Sequence, residues 1–97
     1  MQPHFFEAAD DEVEEARKWY RDQSEVAEAG FLRELDHAVD LIVEAPHRWP
    51  RYIAGTQRYV FPTYPYSLVY FVESNTVNVV AVAHESRRPG YWRKLAR

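Results

Sequence analysis

Tyr66-Ser67-Leu68-Val69-Tyr70-Phe71-Val72-Glu73-Ser74-Asn75-Thr76-Val77-Asn78-Val79-Val80-Ala81-Val82-Ala83 is the stretch that decides how this chain folds. Tyr66–Val72 and Thr76–Ala83 are rich in Tyr, Val and Phe, side chains that suit a pleated, half-buried surface. Only Glu73-Ser74-Asn75 lies between them, which leaves room for a tight turn and predicts an antiparallel hairpin. Alternation along the second run puts Val77, Val79 and Ala81 on one face and Val80 and Val82 on the other. Both faces are apolar, so both need cover. One is expected to pack on helices, the other on the tail of the chain or on a partner.

Upstream, Gln57–Phe61 supplies a third strand that Pro62 ends. The segment from Arg48 to Gly55, with Trp49-Pro50 and Ala54-Gly55, reads as an irregular connection. Before it, Ser24 is an N-cap with Glu25 in the first turn, and Phe31, Leu35, Ala38 and Ile42 form a helical apolar stripe widened by Leu32 and Val39. Pro46 stops that helix. Gly30 inside it costs about 1 kcal/mol relative to alanine. It implies a close approach, expected from the first helix near Trp19 and Tyr20. That first helix spans Ala8–Asp22, with Ala9, Val13, Ala16 and Tyr20 on one face. Its acids precede its bases, as the helix dipole favours. The short join predicts an antiparallel αα-hairpin. His4–Glu7 is a short strand or an extended arm. The order is a short N-terminal strand, an αα-hairpin, a three-stranded antiparallel meander and a basic C-terminal tail. It predicts a two-layer α+β fold in a single domain over residues 1–97.

A hydrophobic fraction of 46% with 15% aromatics is too high for a disordered chain. The absence of cysteine excludes disulfides and cysteine–metal sites. No apolar run is long enough to span a membrane. Met1-Gln2-Pro3-His4 lacks the charged-then-apolar order of a signal peptide, so a cytoplasmic protein with no membrane partner is expected. The net charge of −3 hides a split: residues 1–50 carry −8 and residues 51–97 carry +5. A basic half can hold phosphate or an acidic protein segment. The acidic remainder and a pI near 5.8 argue against free DNA binding by this chain alone.

The basic character concentrates in His84-Glu85-Ser86-Arg87-Arg88-Pro89-Gly90-Tyr91-Trp92-Arg93-Lys94-Leu95-Ala96-Arg97, which holds five of the twelve Lys/Arg residues. His84 ends the last strand and can serve as a general base, as a cation toward phosphate, or as a backbone hydrogen-bonding residue. Arg87 and Arg88 suit phosphates or the carboxylates of a partner. Tyr91 and Trp92 can stack on bases or pack on the uncovered sheet face. Arg58 and Tyr66 lie on adjacent strands, at positions that can face this tail. Glu12 with Glu15, and His37 with Asp40, have spacings resembling metal pairs. No second carboxylate–histidine pair accompanies them, so solvated helix faces are expected there, with no metal and no cofactor. His4 and His47 have no partner.

The ordered combination of Glu14-Glu15-Ala16-Arg17-Lys18-Trp19-Tyr20, Gly30-Phe31-Leu32-Arg33-Glu34-Leu35, Ala45-Pro46 with Trp49-Pro50, Arg58-Tyr59-Val60-Phe61-Pro62, Tyr66-Ser67-Leu68-Val69-Tyr70 and Val80-Ala81-Val82-Ala83-His84 leading to Arg87-Arg88-Pro89-Gly90-Tyr91-Trp92 resembles the RelE/ParE toxin superfamily of type II toxin–antitoxin systems. It is closest to the ParE-like plasmid stabilisation sequences. The resemblance implies a small toxin neutralised by an antitoxin encoded beside it, whose C-terminal segment, often helical, wraps over the toxin. RelE-like members cut mRNA in the ribosomal A site; ParE-like members poison DNA gyrase and lack that catalytic set.

On the RelE-like reading, a ribosome-dependent mRNA endoribonuclease would use His84, Arg87, Tyr91 and Arg58. Two positions where such enzymes carry arginine are here Ser67 and Glu85, and the only lysines are Lys18 and Lys94. Those departures remove cations that would stabilise a phosphorane-like transition state. The reading adopted is therefore ParE-like: growth arrest through a protein target, DNA gyrase by resemblance. Arg87, Arg88, Tyr91, Trp92, Arg93 and Tyr66 are then the residues that bind antitoxin or target. A third reading is a non-toxic degenerate member that only binds antitoxin.

Overall fold

A computed structural model describes residues 1–94; Leu95, Ala96 and the tail's last base, Arg97, lie outside the described residues. The elements run β1 (Gln2–Phe5), α1 (Glu7–Gln23), α2 (Glu25–Glu44), β2 (Gln57–Val60), β3 (Tyr66–Glu73) and β4 (Thr76–His84), with a closing 3-10 turn at Tyr91–Lys94. The sheet order is β1-β4-β3-β2. β2, β3 and β4 form the expected antiparallel meander. β1 lies two residues earlier than expected and joins the far edge of the sheet, parallel to β4. The αα-hairpin packs on one side of this sheet, which makes the fold a two-layer α+β arrangement.

Ser24 alone separates the helices. Its backbone N–H closes α1 on the Tyr20 carbonyl, and its hydroxyl accepts from Ala27 N at 3.0 Å to open α2. Phe31, Leu35, Ala38 and Ile42 are buried, as the stripe predicts, together with Ala9 and Ala16 of α1. Gly30 does mark a close approach, but the neighbour is not α1. A Cβ at Gly30 would collide with the hydroxyl of Tyr64 and sit 3.2 Å from its Cζ. Tyr64 comes from the loop after β2. That hydroxyl donates to the Ala27 carbonyl at 2.8 Å, while Glu34 Oε1 accepts from the backbone N–H groups of Thr63 and Tyr64. The glycine admits the loop that joins β2 to β3.

The hairpin between β3 and β4 turns on Ser74 and Asn75 alone, both with positive φ (54° and 56°). Two such residues match the twist of the flanking strands, and glycine suits the second position best. Asn75→Gly should therefore stabilise the protein by about 0.5–1 kcal/mol. A denaturant midpoint that does not rise would show that the asparagine side chain offsets its own backbone strain.

One residue of β4 breaks the expected alternation. Val69 pairs with Ala81 but Tyr70 pairs with Val79, so Val80 is an extra residue in a bulge. Every side chain after it moves to the opposite face. Val77, Val79 and Val82 join the helix-side core, whereas Val80 and Ala81 pack on the other face. The bulge thus corrects the assignment of Ala81 and Val82. It also turns His84 toward the helix layer, where its ring meets that of Tyr66 edge-on at 5.1 Å.

The second sheet face is covered by the chain's own tail. Trp92, 4% exposed, forms one buried cluster with Val69, Val80 and Ala81, against which Phe6, Tyr52, Ile53 and Phe71 pack.

Candidate functional site

Two clefts meet at the end of β4. The first lies on the helix side and has a volume of about 460 Å³. Ala16, Trp19, Tyr20, Pro65, Tyr66 and Val82 supply its largely apolar lining; Glu12 and Glu15 supply its acids, and His84 and Arg87 its bases. Trp19 is 59% exposed, an unusual position for so large an apolar ring.

Glu12 organises this cleft. β1 ends its pairing where Phe6 N–H donates to the Val79 carbonyl, so β4 continues past it with an open edge. Glu12 Oε1 accepts the Val82 backbone N–H at that edge, at 2.9 Å. Its Oε2 accepts the hydroxyl of Tyr91. One carboxylate therefore ties α1 to β4 and to the tail. Burial raises the Glu12 carboxyl above its ordinary value; the Tyr91 hydroxyl, the Val82 N–H and the Arg87 charge pull it down less strongly. Tyr91 is also pushed up, first by burial and then by the bond to Glu12.

His84 Nδ1 accepts the backbone N–H of Ser86 at 3.0 Å, with the Ser86 hydroxyl at 2.8 Å. A backbone N–H can only donate, so Nδ1 carries the lone pair and a neutral ring bears its proton on Nε2. Tyr66 beside it is pushed up to about 12, chiefly by burial and then by Tyr20 and the acids of α1. Near neutral pH the hydroxyls of Tyr66 and Tyr91 stay protonated. Both hydroxyls are therefore hydrogen-bond donors to the cleft or its walls.

The second cleft, about 310 Å³, opens on the opposite face between β2 and the tail. Arg58, Arg88, Tyr52 and Trp92 border it, and His84, Arg87 and Tyr91 form the wall nearest the first cleft. The Arg87 guanidinium lies 3.9 Å over the Tyr91 ring, and that of Arg58 lies 4.3 Å over the Tyr52 ring. Arg93 turns back toward the Gly90 carbonyl and is exposed.

The structure thus brings His84, Arg87 and Tyr91 together but separates Arg58 from Tyr66. Both positions could face the tail; Arg58 borders the tail-side cleft, whereas Tyr66 borders the helix-side one. Tyr66 faces the helices because it is in register with His84 on the helix-side face. Trp92 is spent on packing, and one face of Tyr91 is covered by Arg87. Sequence reasoning missed Glu12 as anything but part of a charged helix face. It missed Tyr52 too, and treated Trp19 only as a neighbour for Gly30. Among the described residues no group of three or more His, Asp or Glu stands close enough to hold a metal, and no helix is long and apolar enough to cross a membrane.

Comparison with known proteins bears on the family and the fold. A family model described as the ParE toxin of the type II toxin–antitoxin system parDE matches residues 5–89. A solved chain from the chromosomal ParDE TA system of P. aeruginosa superposes with a TM-score of 0.76 at 10% identity, over 87% of this chain and 95% of that one. At that identity the likeness speaks for the fold. No curated protein sequence gave a match.

Proposed function

Because the chain belongs to the ParE toxin family of type II toxin–antitoxin systems, we propose that it arrests growth through a protein target, DNA gyrase, and that a cognate antitoxin neutralises it by seating a segment in the helix-side cleft. The observation that carries the antitoxin assignment is the cleft itself: a largely apolar trough with an exposed Trp19 in its lining and His84 and Arg87 at one end. Apolar surface rimmed by charge is what a folded partner segment buries. Its acidic side chains would pair with Arg87 and Arg88, the tail cations nearest that end.

Changing Arg87 and Arg88, both exposed, together to glutamate should weaken antitoxin binding about tenfold or more, mostly through slower, salt-dependent association. Unchanged affinity by calorimetry would move the antitoxin off this end of the cleft. For the target, the test is supercoiling by purified gyrase with a large molar excess of the protein. Uninhibited supercoiling would remove gyrase from the proposal. If expression without antitoxin also leaves growth unaffected, the chain serves only to bind antitoxin.

Ser67 and Glu85, at positions where mRNA-cleaving relatives carry arginine, support target binding over mRNA cleavage, whose transition state needs cations. Ribosome-bound mRNA cleavage that disappears in His84→Ala and Tyr91→Phe would reverse that preference.

A further inference from the structure

The tail-side cleft gathers three guanidinium groups, Arg58 from β2 and Arg87 and Arg88 from the tail loop, against a single acid, Glu85. Other arginines of this protein are used structurally: Arg17 and Arg21 bond Glu28 and thereby join α1 to α2. Among the described residues none of the three tail-side guanidinia makes an ion pair or donates a hydrogen bond. Two of them are nonetheless held in place. Tyr52 lies under Arg58 and Tyr91 under Arg87, at 4.3 and 3.9 Å. Stacking fixes the plane of a guanidinium and leaves its N–H edge free, the arrangement that reads two oxygens of a phosphate at once.

The cleft holds about 310 Å³, at the lower end of small-molecule sites and more than a phosphate alone needs. Arg58 and Tyr52 both line the cleft, and a nucleobase can stack on a guanidinium plane. We propose that this cleft binds a nucleoside phosphate, its phosphate held by Arg58, Arg87 and Arg88 and its base laid against the Arg58–Tyr52 layer. The step is binding only; no bond is made or broken. The nucleoside phosphate comes either from a free nucleotide or from one unit of a single strand. Arg58 is no part of the helix-side cleft, so failure of this proposal leaves the antitoxin reading intact.

The test uses the full chain, titrated calorimetrically with ADP, AMP, inorganic pyrophosphate and a short oligoadenylate. ADP should bind, more tightly than pyrophosphate, and Arg58→Gln and Arg88→Gln should each weaken it about tenfold. Thermal melting of each variant checks that it folds. Oligoadenylate binding more tightly than AMP would assign the site to a strand; equal binding would assign it to the free nucleotide. No heat with ADP at millimolar concentration overturns the proposal. So does affinity unchanged in both variants, or pyrophosphate binding as tightly as ADP.

Discussion

Phe31→Ala should destabilise this protein by about 4 kcal/mol. Phe31 is fully buried, and its ring is surrounded by those of Tyr20, Tyr66, Tyr64 and Phe61, with centroids 5.5, 5.2, 5.9 and 6.4 Å away. Those four rings come from α1, β3 and the loop before it, so Phe31 on α2 is where both helices and the sheet meet. Truncation removes a large transfer contribution and leaves a cavity that rigid aromatic neighbours fill poorly. A domain of this size has about 5–15 kcal/mol of stability in total, so the variant is expected to melt roughly 15–30 °C lower. Phe31→Leu, which keeps most of the volume, should lose much less. Antitoxin affinity should fall with Phe31→Ala as well, because Tyr20 and Tyr66 rest on Phe31 and line the helix-side cleft. A melting loss under about 5 °C would show that the helices are tied to the sheet elsewhere.

Glu12 gives the second large effect, and its two substitutions should diverge. Glu12→Ala leaves the Val82 N–H, on a residue 1% exposed, without an acceptor and releases the Tyr91 hydroxyl. An orphaned buried donor costs about 1–3 kcal/mol, and with the lost tail contact the expected total is about 2–3 kcal/mol. Glu12→Gln keeps both bonds, since the amide oxygen can accept from Val82 while the amide nitrogen donates to Tyr91, and should cost less than about 1 kcal/mol at neutral pH.

The pH dependence separates the glutamine variant from the wild type. Because burial raises the Glu12 carboxyl, the folded protein holds that proton more tightly than the unfolded chain. The associated stability is fully present below the ordinary carboxylate pKa and is lost as pH rises through the raised value. The glutamine variant has no such proton, so it should gain on the wild type across that window. Urea midpoints measured at a series of pH values decide it; parallel curves for the two proteins would mean that Glu12 titrates as an ordinary surface acid.

Much of the frame was legible in the residues. Ser24 reads as a cap because its hydroxyl acts within one turn. The α2 stripe reads as buried because helical periodicity is local. The β3–β4 hairpin reads as a hairpin because only a tight turn fits between the two runs. Each conclusion depends on neighbours a few positions away. The same holds for the concentration of base in the tail, whose two arginines and tyrosine do border the clefts.

What failed to read depended on distance along the chain. Gly30 signalled a close approach, but its neighbour Tyr64 is thirty-four positions on. Glu12 looked like one more acid on a charged helix because its two partners, Val82 and Tyr91, are seventy and seventy-nine positions away. Tyr66 and Arg58 seemed able to share a face until the strand register placed them on opposite sides of the sheet. Local pattern alone determined the element order, the α+β class, the helix-side stripe and the basic tail. Tertiary structure alone decided the bulge at Val80 and, through it, which way His84 points. In Val79-Val80-Ala81-Val82 both parities are apolar, so either register buries hydrophobic side chains. Only pairing with β3 and packing against α1 and Trp92 distinguish the two.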